Sequence, residues 1–514
     1  MKRTAWKLKS LGWMFLLLMA CSGGKEEPVQ PVVPETPAVT PPKQEKVDTL
    51  KLETTEFKDI GVSGKTIVVK YQASGEVKAH CGDVWIKESS SNSSQKSFLI
   101  AANGGNERTA QITFTLGKLT EKVTVTQQGG EPVKEGEGYA WDIARKLGLG
   151  WNLGNQMDAH NNGVADETCW GNGKATQQTF NKLAEAGITS VRIPVTWMGH
   201  VGEAPDYLIE EAWLNRVAEI VGYAENAKLH AIVNMHHDGA DSNHWLSIKD
   251  AASSEAKNEA IKNQLRAMWT QIAEKFKDKG EFLMFESMNE IHDGGWGWGD
   301  NLKDDGKQYA ILNEWNQVFV DAVRAVGGEN EDRYLGIPGY CTNADLTLKH
   351  LVLPEDKAED RLMVAVHFYD PYEFTLTNKF SEWGYTARDG KKESWGDEDN
   401  VKNVFGQLRD KYVNQGIPVY IGEMGCVHRN NVRSESFRKY YLEYVCKAAR
   451  SFGMAPFYWD NGANGTGNEC SGLFDHATGE YLNNAEEVVA VMTKAIFTED
   501  EDYTLNTVYD KAPR

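Results

Sequence analysis

The chain has 514 residues, of which 41% are hydrophobic, and its formal net charge is −19. This acidic excess disfavours contact with nucleic acid or anionic lipid, so we expect neutral substrates and no nucleic-acid partner. The length exceeds that of one average domain, and the apolar fraction is sufficient for more than one hydrophobic core.

The first twenty residues have the pattern of a bacterial export signal. Four basic residues precede an apolar stretch at 11–19, which is too short to span a bilayer. The stretch ends in Leu18-Met19-Ala20-Cys21, which resembles the bacterial lipobox and implies cleavage before Cys21 and acylation of its thiol. Ser22 favours sorting to the outer membrane. We therefore expect an outer-membrane lipoprotein exposed at the cell surface, the alternative being an ordinary signal with a stray cysteine.

Composition changes divide the rest of the chain into regions. A proline-rich stretch is typical of an extended stalk, and a short acidic, glycine-rich stretch is typical of a linker. The predicted regions are a signal peptide at 1–20, a Pro-rich linker at 21–47, a small all-β domain at 48–129, a linker at 130–138, a catalytic barrel at 139–500 and a C-terminal tail at 501–514.

The region 48–129 alternates apolar and polar residues in short runs separated by Gly, Ser and Asn turns, which predicts an immunoglobulin-like all-β unit. Its last predicted strand, at 123–129, resembles that of the BACON family, whose members are often called carbohydrate-binding. The alternative is a spacer, which we favour because no ladder of aromatic residues stands out. Trp85 is expected in the core.

From Tyr139 onward, apolar strand-like runs alternate with segments of helical periodicity. Eight strands with helical crossovers in about 350 residues predict an α/β fold, a (β/α)8 TIM barrel, with the catalytic groups at the carboxyl ends of the strands. The predicted strands are 147–155, 188–195, 230–237, 282–290, 334–340, 362–369, 419–425 and 454–461.

Polar and aromatic residues collect at the ends of these strands. Glu290 and Glu423 each end a short apolar run, and two carboxylates at the tips of parallel strands suit the hydrolysis of a glycosidic bond. Any one of the other residues is more often structural than catalytic, but their joint occurrence at nearly every strand end indicates a site. They are Asn155, Arg192, His236, His237, Asn289, His367, Tyr369 and Trp459.

Over residues 139–497 the sequence resembles glycoside hydrolase family 5, and most closely its subfamily four, whose members mainly cut β-1,4-glucans and xyloglucan. The matching segments are Gly-Trp-Asn-Leu-Gly-Asn at 150–155, Val-Arg-Ile-Pro-Val at 191–195, Asn-Met-His-His-Asp at 234–238, Met-Asn-Glu-Ile at 288–291, His-Phe-Tyr at 367–369, Gly-Glu-Met-Gly at 422–425 and Trp-Asp at 459–460.

The resemblance implies a retaining double displacement, with Glu290 as acid and then base and Glu423 as nucleophile. It further implies that Arg192 keeps Glu423 ionised and that repulsion from Glu423 helps to keep Glu290 protonated. The remaining implied roles are Asn289 on the sugar 2-hydroxyl, Tyr369 orienting Glu423, His236, His237 and His367 holding hydroxyls and carboxylates, and Trp459 stacking on the sugar ring.

Several other residues compete for a role. Glu286 falls deeper in the barrel than Glu290 and is expected to form hydrogen bonds there rather than to catalyse. The pair His236-His237 suggests a metal, but adjacent strand residues point to opposite faces, so no metal and no cofactor are predicted. At least one of Trp296 and Trp298, in a Gly-rich loop, should line a glycan cleft. Trp170, Trp197, Trp245, Trp383 and Trp395 fit a core or a sugar platform equally well.

The function that these features favour is endo-acting hydrolysis of a β-1,4-glucan: xyloglucan, cellulose-type or mixed-linkage glucan. The alternatives are β-mannan or xylan hydrolysis on the same barrel, and a catalytically dead surface lipoprotein that binds glycans. The expected partners are the polysaccharide and the outer membrane, through a lipid anchor at Cys21, and a monomer is expected. Six further cysteines without close spacing leave room for one or two disulfides.

Overall fold

A computed structural model describes residues 47–131, 133–239 and 244–514. The predicted signal peptide, Cys21 and nearly all of the Pro-rich linker lie outside the described residues. No helix in the described ranges is long and apolar enough to cross a membrane.

The N-terminal all-β unit consists of two four-stranded sheets with strand orders β1-β3-β6-β5 and β2-β8-β7-β4. Along β3, Ile67, Val69 and Tyr71 are buried while the residues between them are exposed, so one face of each sheet forms the core. The strands are β1 (Leu50–Leu52), β2 (Glu56–Ile60), β3 (Lys65–Ala73), β4 (Lys78–His80), β5 (Ile86–Ser91), β6 (Gln95–Ile100), β7 (Arg108–Leu116) and β8 (Leu119–Gln127).

The second region is a closed barrel of eight parallel strands in the order β12-β13-β14-β15-β16-β17-β18-β9, as the sequence predicts. A hairpin of β10 (His160–Asn161) and β11 (Val164–Ala165) lies in the loop after the first barrel strand. The barrel strands are β9 (Gly150–Leu153), β12 (Ser190–Ile193), β13 (His230–Asn234), β14 (Leu283–Glu286), β15 (Leu335–Asn343), β16 (Leu362–Phe368), β17 (Val419–Met424) and β18 (Met454–Asp460).

Helices surround the barrel, so its strands are covered on both faces. All four residues of β9, β12 and β14 are therefore buried, which explains why these strands read as apolar runs. The helices are α1 (Tyr139–Leu147), α2 (Gln177–Glu185), α3 (Glu211–Asn226), α4 (Ile248–Ser253), α5 (Glu255–Lys275), α6 (Lys307–Val326), α7 (Ala344–His350), α8 (Tyr372–Thr375), α9 (Glu398–Lys411), α10 (Val432–Ser451), α11 (Ala485–Phe497) and α12 (Leu505–Asp510).

All eight predicted barrel strands are present, but several end earlier than expected. β13 ends at Asn234 and β14 at Glu286, so the motif residues after them belong to loops. This places Glu290 and the histidine pair above the barrel rim, where side chains are no longer forced to alternate between two faces.

Residues 501–514, left by the sequence as a tail, contain α12, which begins with a capping box at Thr504 and Thr507. This segment also contacts the β unit, because Asn106 donates from Nδ2 to Asp510 Oδ2 at 2.8 Å. Trp85 is buried as expected, and the Arg108 guanidinium lies 4.4 Å from its ring centroid.

Among the residues that the structure describes, all six cysteines are free thiols. The one or two disulfides that the sequence left open are therefore not formed by Cys81, Cys169, Cys341, Cys426, Cys446 and Cys470.

Candidate active site

Two carboxyl groups meet at the carboxyl end of the barrel. Glu290 follows β14, Glu423 lies near the end of β17, and one oxygen of each lies within 4.8 Å of the other. The His367 Nδ1 atom at the end of β16 lies 2.6 Å from Glu290 Oε1 and 3.6 Å from Glu423 Oε2. The two residues that the sequence singles out, from strands more than 130 residues apart, thus form one cluster.

Arg192, in β12, is completely buried beneath this pair. It donates from Nη1 to Glu423 Oε1 at 2.8 Å and to Asn152 Oδ1 at 3.0 Å, and from Nη2 to Asn289 Oδ1 at 2.7 Å. Its other contacts go to Glu286, which is fully buried as predicted for a residue deeper in the barrel. Arg192 therefore links the nucleophile candidate to the loop that carries Glu290.

The surroundings of the two carboxyls shift their pKa values in opposite directions. Burial raises the pKa of Glu423 and repulsion from Glu290 adds to the rise, against the charges of His367 and Arg192. Burial acts in the same direction on Glu290, but the hydrogen bond and charge of His367 outweigh it and lower the pKa of Glu290. These directions are the reverse of those that the resemblance implies for the two residues.

Besides Arg192 and His367, Glu423 has two uncharged neighbours, Tyr369 and His236. Tyr369 Oη donates to Glu423 Oε2 at 3.0 Å, and burial beside Glu423 and Glu290 raises the pKa of Tyr369 well above its ordinary value. Burial, with the charges of His237 and Arg192, lowers the pKa of His236 well below its ordinary value. Tyr369 is thus a fixed phenol donor, and His236 is an uncharged imidazole.

Trp459 and His236 form an aromatic wall beside the pair. Their rings are stacked, with centroids 5.5 Å apart and an interplanar angle of 8°. Trp459, in β18, is partly exposed. The strand end predicted to carry the sugar platform therefore lies at the carboxylate cluster.

The expectation that His236 and His237 point to opposite faces is wrong. Their ring centroids lie 4.5 Å apart, because β13 has already ended at Asn234 and His237 begins a short 3-10 turn. His237 Nε2 lies 3.5 Å from Asp158 Oδ2. The alternation of side chains on a strand does not apply beyond the strand.

Two groups of possible metal ligands occur among the described residues, namely Asp158 with His236 and His237, and Glu290 with His367 and Glu423. Their atoms have other partners: Asp158 accepts from the backbone N–H groups of Asn155 and Gln156. That no metal takes part stays a prediction, although strand alternation does not separate His236 from His237.

Asn155 has a different place from the one predicted. Its φ of +54° lies in the left-handed region, which Asn tolerates better than most residues. Its carbonyl accepts from Asn172 Nδ2 at 2.9 Å. Asn155 therefore lies in a turn after β9, and its contact with substrate stays a prediction.

The predicted aromatic residues divide into exposed and buried sets. Trp298 is 81% exposed and Trp296 59% exposed, both in the loop after β14, whereas Trp197 and Trp383 are buried in the core. The indole N–H of Trp245 already has a partner, since Nε1 donates to Asp238 Oδ1 at 2.7 Å. Trp170 and Trp395 are also exposed, in the loops after β9 and β16.

The sequence missed several polar residues that hold the site. Asn152 donates to the carbonyl of Gly422, and Asn234 and Tyr420 donate to Glu286. The available signal was a polar residue within an apolar strand. A buried polar group needs a partner, so such a position predicts a hydrogen bond across the barrel.

Comparison with known proteins agrees with this geometry. A family model described as cellulase (glycosyl hydrolase family 5) matches residues 157–465. A second model, BACON, described as a putative binding domain, matches residues 75–128. The chain is 36% identical over 343 residues to endoglucanase A of Paenibacillus barcinonensis, covering 63% of this chain and 83% of that protein.

Longer matches include the β unit. A xyloglucan-specific endo-β-1,4-glucanase of Bacteroides ovatus is 29% identical over 470 residues, covering 85% of this chain and 90% of that protein. Among solved structures, a broad-specificity endoglucanase from Bacteroides salanitronis has 64% identity and a TM-score of 0.69, covering 72% of this chain and 98% of that one. A Bacteroides ovatus xyloglucanase bound to a heptasaccharide has 28% identity and a TM-score of 0.63, covering 88% and 100%. With its barrel and carboxylate pair, the chain belongs to glycosyl hydrolase family 5.

Proposed function

We propose that the chain is a retaining, endo-acting hydrolase of β-1,4-glucans in which Glu423 is the nucleophile and Glu290 the acid and base. The observation that carries this proposal is the separation of the two carboxyls, whose oxygens lie within 4.8 Å of each other. Retaining enzymes hold their carboxyls about 5–5.5 Å apart, whereas inverting enzymes need about 6.5–9.5 Å to admit a water.

The ion pair with Arg192 supports placing the negative charge of the pair on Glu423. A guanidinium donating at 2.8 Å favours an ionised carboxylate. The contact between His367 and Glu290 serves either charge state, because Nδ1 accepts from a carboxylic acid as well as it donates to a carboxylate. In the arrangement where Nδ1 is the acceptor, Glu290 holds the proton that the leaving oxygen requires.

The supporting residues fit a glucosyl ring held between these two groups. Asn289 Oδ1 is taken by Arg192, so its Nδ2 is the atom offered to the sugar 2-hydroxyl. Tyr369 holds Glu423 in line for attack, and His236 and His237 face the ring hydroxyls. Trp459 stacks on the ring. These contacts strengthen as the oxocarbenium-like transition state forms.

The substrate class follows from the relatives and from the exposed tryptophans. Two of the similar proteins act on xyloglucan or are described as endoglucanases of broad specificity. Trp170, Trp296 and Trp298 come from two separate loops, so they would contact several sugars of one chain. Such a cleft favours internal cleavage of a soluble, branched glucan, with xyloglucan among the best substrates.

A product profile tests this function. Purified enzyme is incubated with xyloglucan, carboxymethyl-cellulose, mixed-linkage glucan, xylan and mannan. We expect rapid viscosity loss with oligosaccharide products on the glucans, and NMR of the first products should show retention at the anomeric carbon. Preference for mannan or xylan would contradict the glucan assignment. Release of only monosaccharide would contradict the endo mode, and inversion at the anomeric carbon would contradict the double displacement.

The proposed location rests on the N-terminal motif. The Leu18-to-Cys21 lipobox, Ser22 and the Pro-rich linker support a lipid anchor at Cys21 that holds the enzyme at the outer-membrane surface. Cys21→Ala should leave the protein unprocessed or soluble in cell fractionation, while Cys81→Ala, the matched control, should stay with the membrane. Unchanged fractionation and surface labelling of Cys21→Ala would refute the anchor.

A further inference from the structure

Glu286 is a buried carboxylate that the proposed reaction does not use. It ends β14, four residues before Glu290, and is inaccessible to solvent. Three side chains donate to it: Arg192 from Nη2 at 2.7 Å and from Nε at 3.1 Å, Asn234 at 2.8 Å and Tyr420 at 2.6 Å. Although burial opposes ionisation, the charge and hydrogen bonds of Arg192 lower the pKa of Glu286, so it is an anion.

Arg192 therefore serves two anions. Its Nε and Nη2 face Glu286, and its Nη1 faces Glu423 at 2.8 Å. The three charged groups carry a net charge of −1, and all three side chains are buried from solvent. An uncharged amide at 286 would fill the same volume and leave Arg192 and Glu423 as a neutral pair, which is cheaper to bury.

The extra anion has a chemical consequence. Without Glu286, the whole charge of Arg192 would act on Glu423 and make its carboxylate a weaker base. With Glu286, part of that charge is neutralised at the far side of the guanidinium. A second anion below the pair also opposes ionisation of Glu290 and favours a transition state with positive charge on the sugar.

We propose that Glu286 is a positioning residue that takes up part of the charge of Arg192, and so keeps Glu423 nucleophilic and Glu290 protonated. This rests on the proposed roles of Glu290 and Glu423. The titratable and charged groups that act on Glu286 are Arg192 on β12, Tyr420 on β17 and His367 on β16, and Arg192 also contacts Glu423. Removal of the charge at 286 is a change to which all of them respond.

The test is the pH dependence of kcat/KM for Glu286→Gln on a soluble β-glucan. Removing an anion that shares Arg192 with Glu423 should move both limbs of the bell-shaped profile to lower pH, by about one unit for buried charges at an effective dielectric constant near 20. The acidic limb moves because Glu423 ionises more easily, and the basic limb moves because Glu290 loses its proton earlier. We expect kcat to fall with little change in KM.

Tyr420→Phe is the matched control, because it removes a hydrogen bond to the same carboxylate and keeps the charge. Asn316→Ala is a second control, since Asn316 is equally buried and accepts from Ser287 Oγ outside the Arg192 network. Both variants should be less stable than wild type, but the two limbs of their kcat/KM profiles should lie at the wild-type pH values. Glu286→Asp, which retains the anion, should also keep the limbs while losing activity.

If the pH profile of kcat/KM for Glu286→Gln coincides with that of wild type, the proposal is overturned and Glu286 has only a structural role. If Glu286→Gln does not fold, Glu286→Asp provides the test. A shift of about one pH unit in the limbs of its kcat/KM profile, with the anion retained, would also overturn the proposal. Failure of the proposed function is a separate result. It would appear as full activity of Glu423→Gln, whatever the profile of the Glu286 variants.

Discussion

His367 Nδ1 lies 2.6 Å from Glu290 Oε1 and 3.6 Å from Glu423 Oε2, which places one imidazole between the two carboxyls. His367 therefore lies close to both carboxyls and is nearest to Glu290, the proposed acid. The identity of the residue at 367 should therefore affect acid catalysis more than substrate binding.

His367→Asn should lower kcat about 100-fold on glucan, within the usual range for a group that supports acid–base catalysis, and should change KM little. Steady-state kinetics on xyloglucan measure both constants. His350→Asn is the control, because His350 stacks on Tyr309 at the end of α7 and lies outside the carboxylate cluster. A large rise in KM with kcat unchanged would assign His367 to binding instead.

The roles of Glu290 and Glu423 differ in their dependence on the leaving group. Glu423→Gln should abolish hydrolysis of every substrate, because no covalent intermediate forms. Glu290→Ala should impair glucans by about 10²–10⁴-fold but spare the first step on activated aryl glycosides, which depart with little protonation. Burst kinetics on an aryl cellobioside measure that step. Equal losses on both leaving-group classes would contradict the assignment.

Trp298 is the most exposed tryptophan of the loop after β14. Trp298→Ala should weaken binding of a long glucan by about 1–2 kcal/mol, or roughly 5- to 30-fold in KM, with kcat on a short aryl glycoside preserved. The control is Val352→Ala, an exposed apolar residue between α7 and β16 at the opposite end of the barrel. Equal effects on long and short substrates would exclude a remote sugar-binding role.

Glu398, the first residue of α9, has a pKa raised to about 7 from 4.5, mainly by burial. Because its folded-state pKa is above the unfolded value, the folded protein binds the proton more tightly. The contribution of Glu398 to stability is therefore greatest below pH 4.5 and falls as pH rises to about 7. Glu398→Gln should remove up to about 3 kcal/mol of this loss.

Denaturant unfolding of wild type and Glu398→Gln between pH 4.5 and 8 measures that difference. The variant should be no more stable than wild type at the acidic end and progressively more stable toward pH 8. Asp399→Asn, on the same helical turn but exposed, should follow the wild-type curve. A constant difference between Glu398→Gln and wild type across this range would contradict a buried, proton-binding Glu398.

The sequence alone determined the barrel and the two carboxylates. Strands covered on both faces must be apolar, so the eight barrel strands are visible as runs such as β12 and β14. Parallel strands of a barrel end on one face, so Glu290 and Glu423 had to lie on the same side although 133 positions separate them in the chain. Both inferences need only local pattern and topology.

Only the tertiary structure decided how the charges are shared. The division of Arg192 between Glu286 and Glu423, the position of His367 between the carboxyls, and the meeting of His236 with His237 depend on where each strand stops and on its register with its neighbours. These contacts join residues from different strands, and no local pattern specifies such a distance. Strand register and side-chain packing, which the whole fold sets together, determine which carboxylate receives the guanidinium.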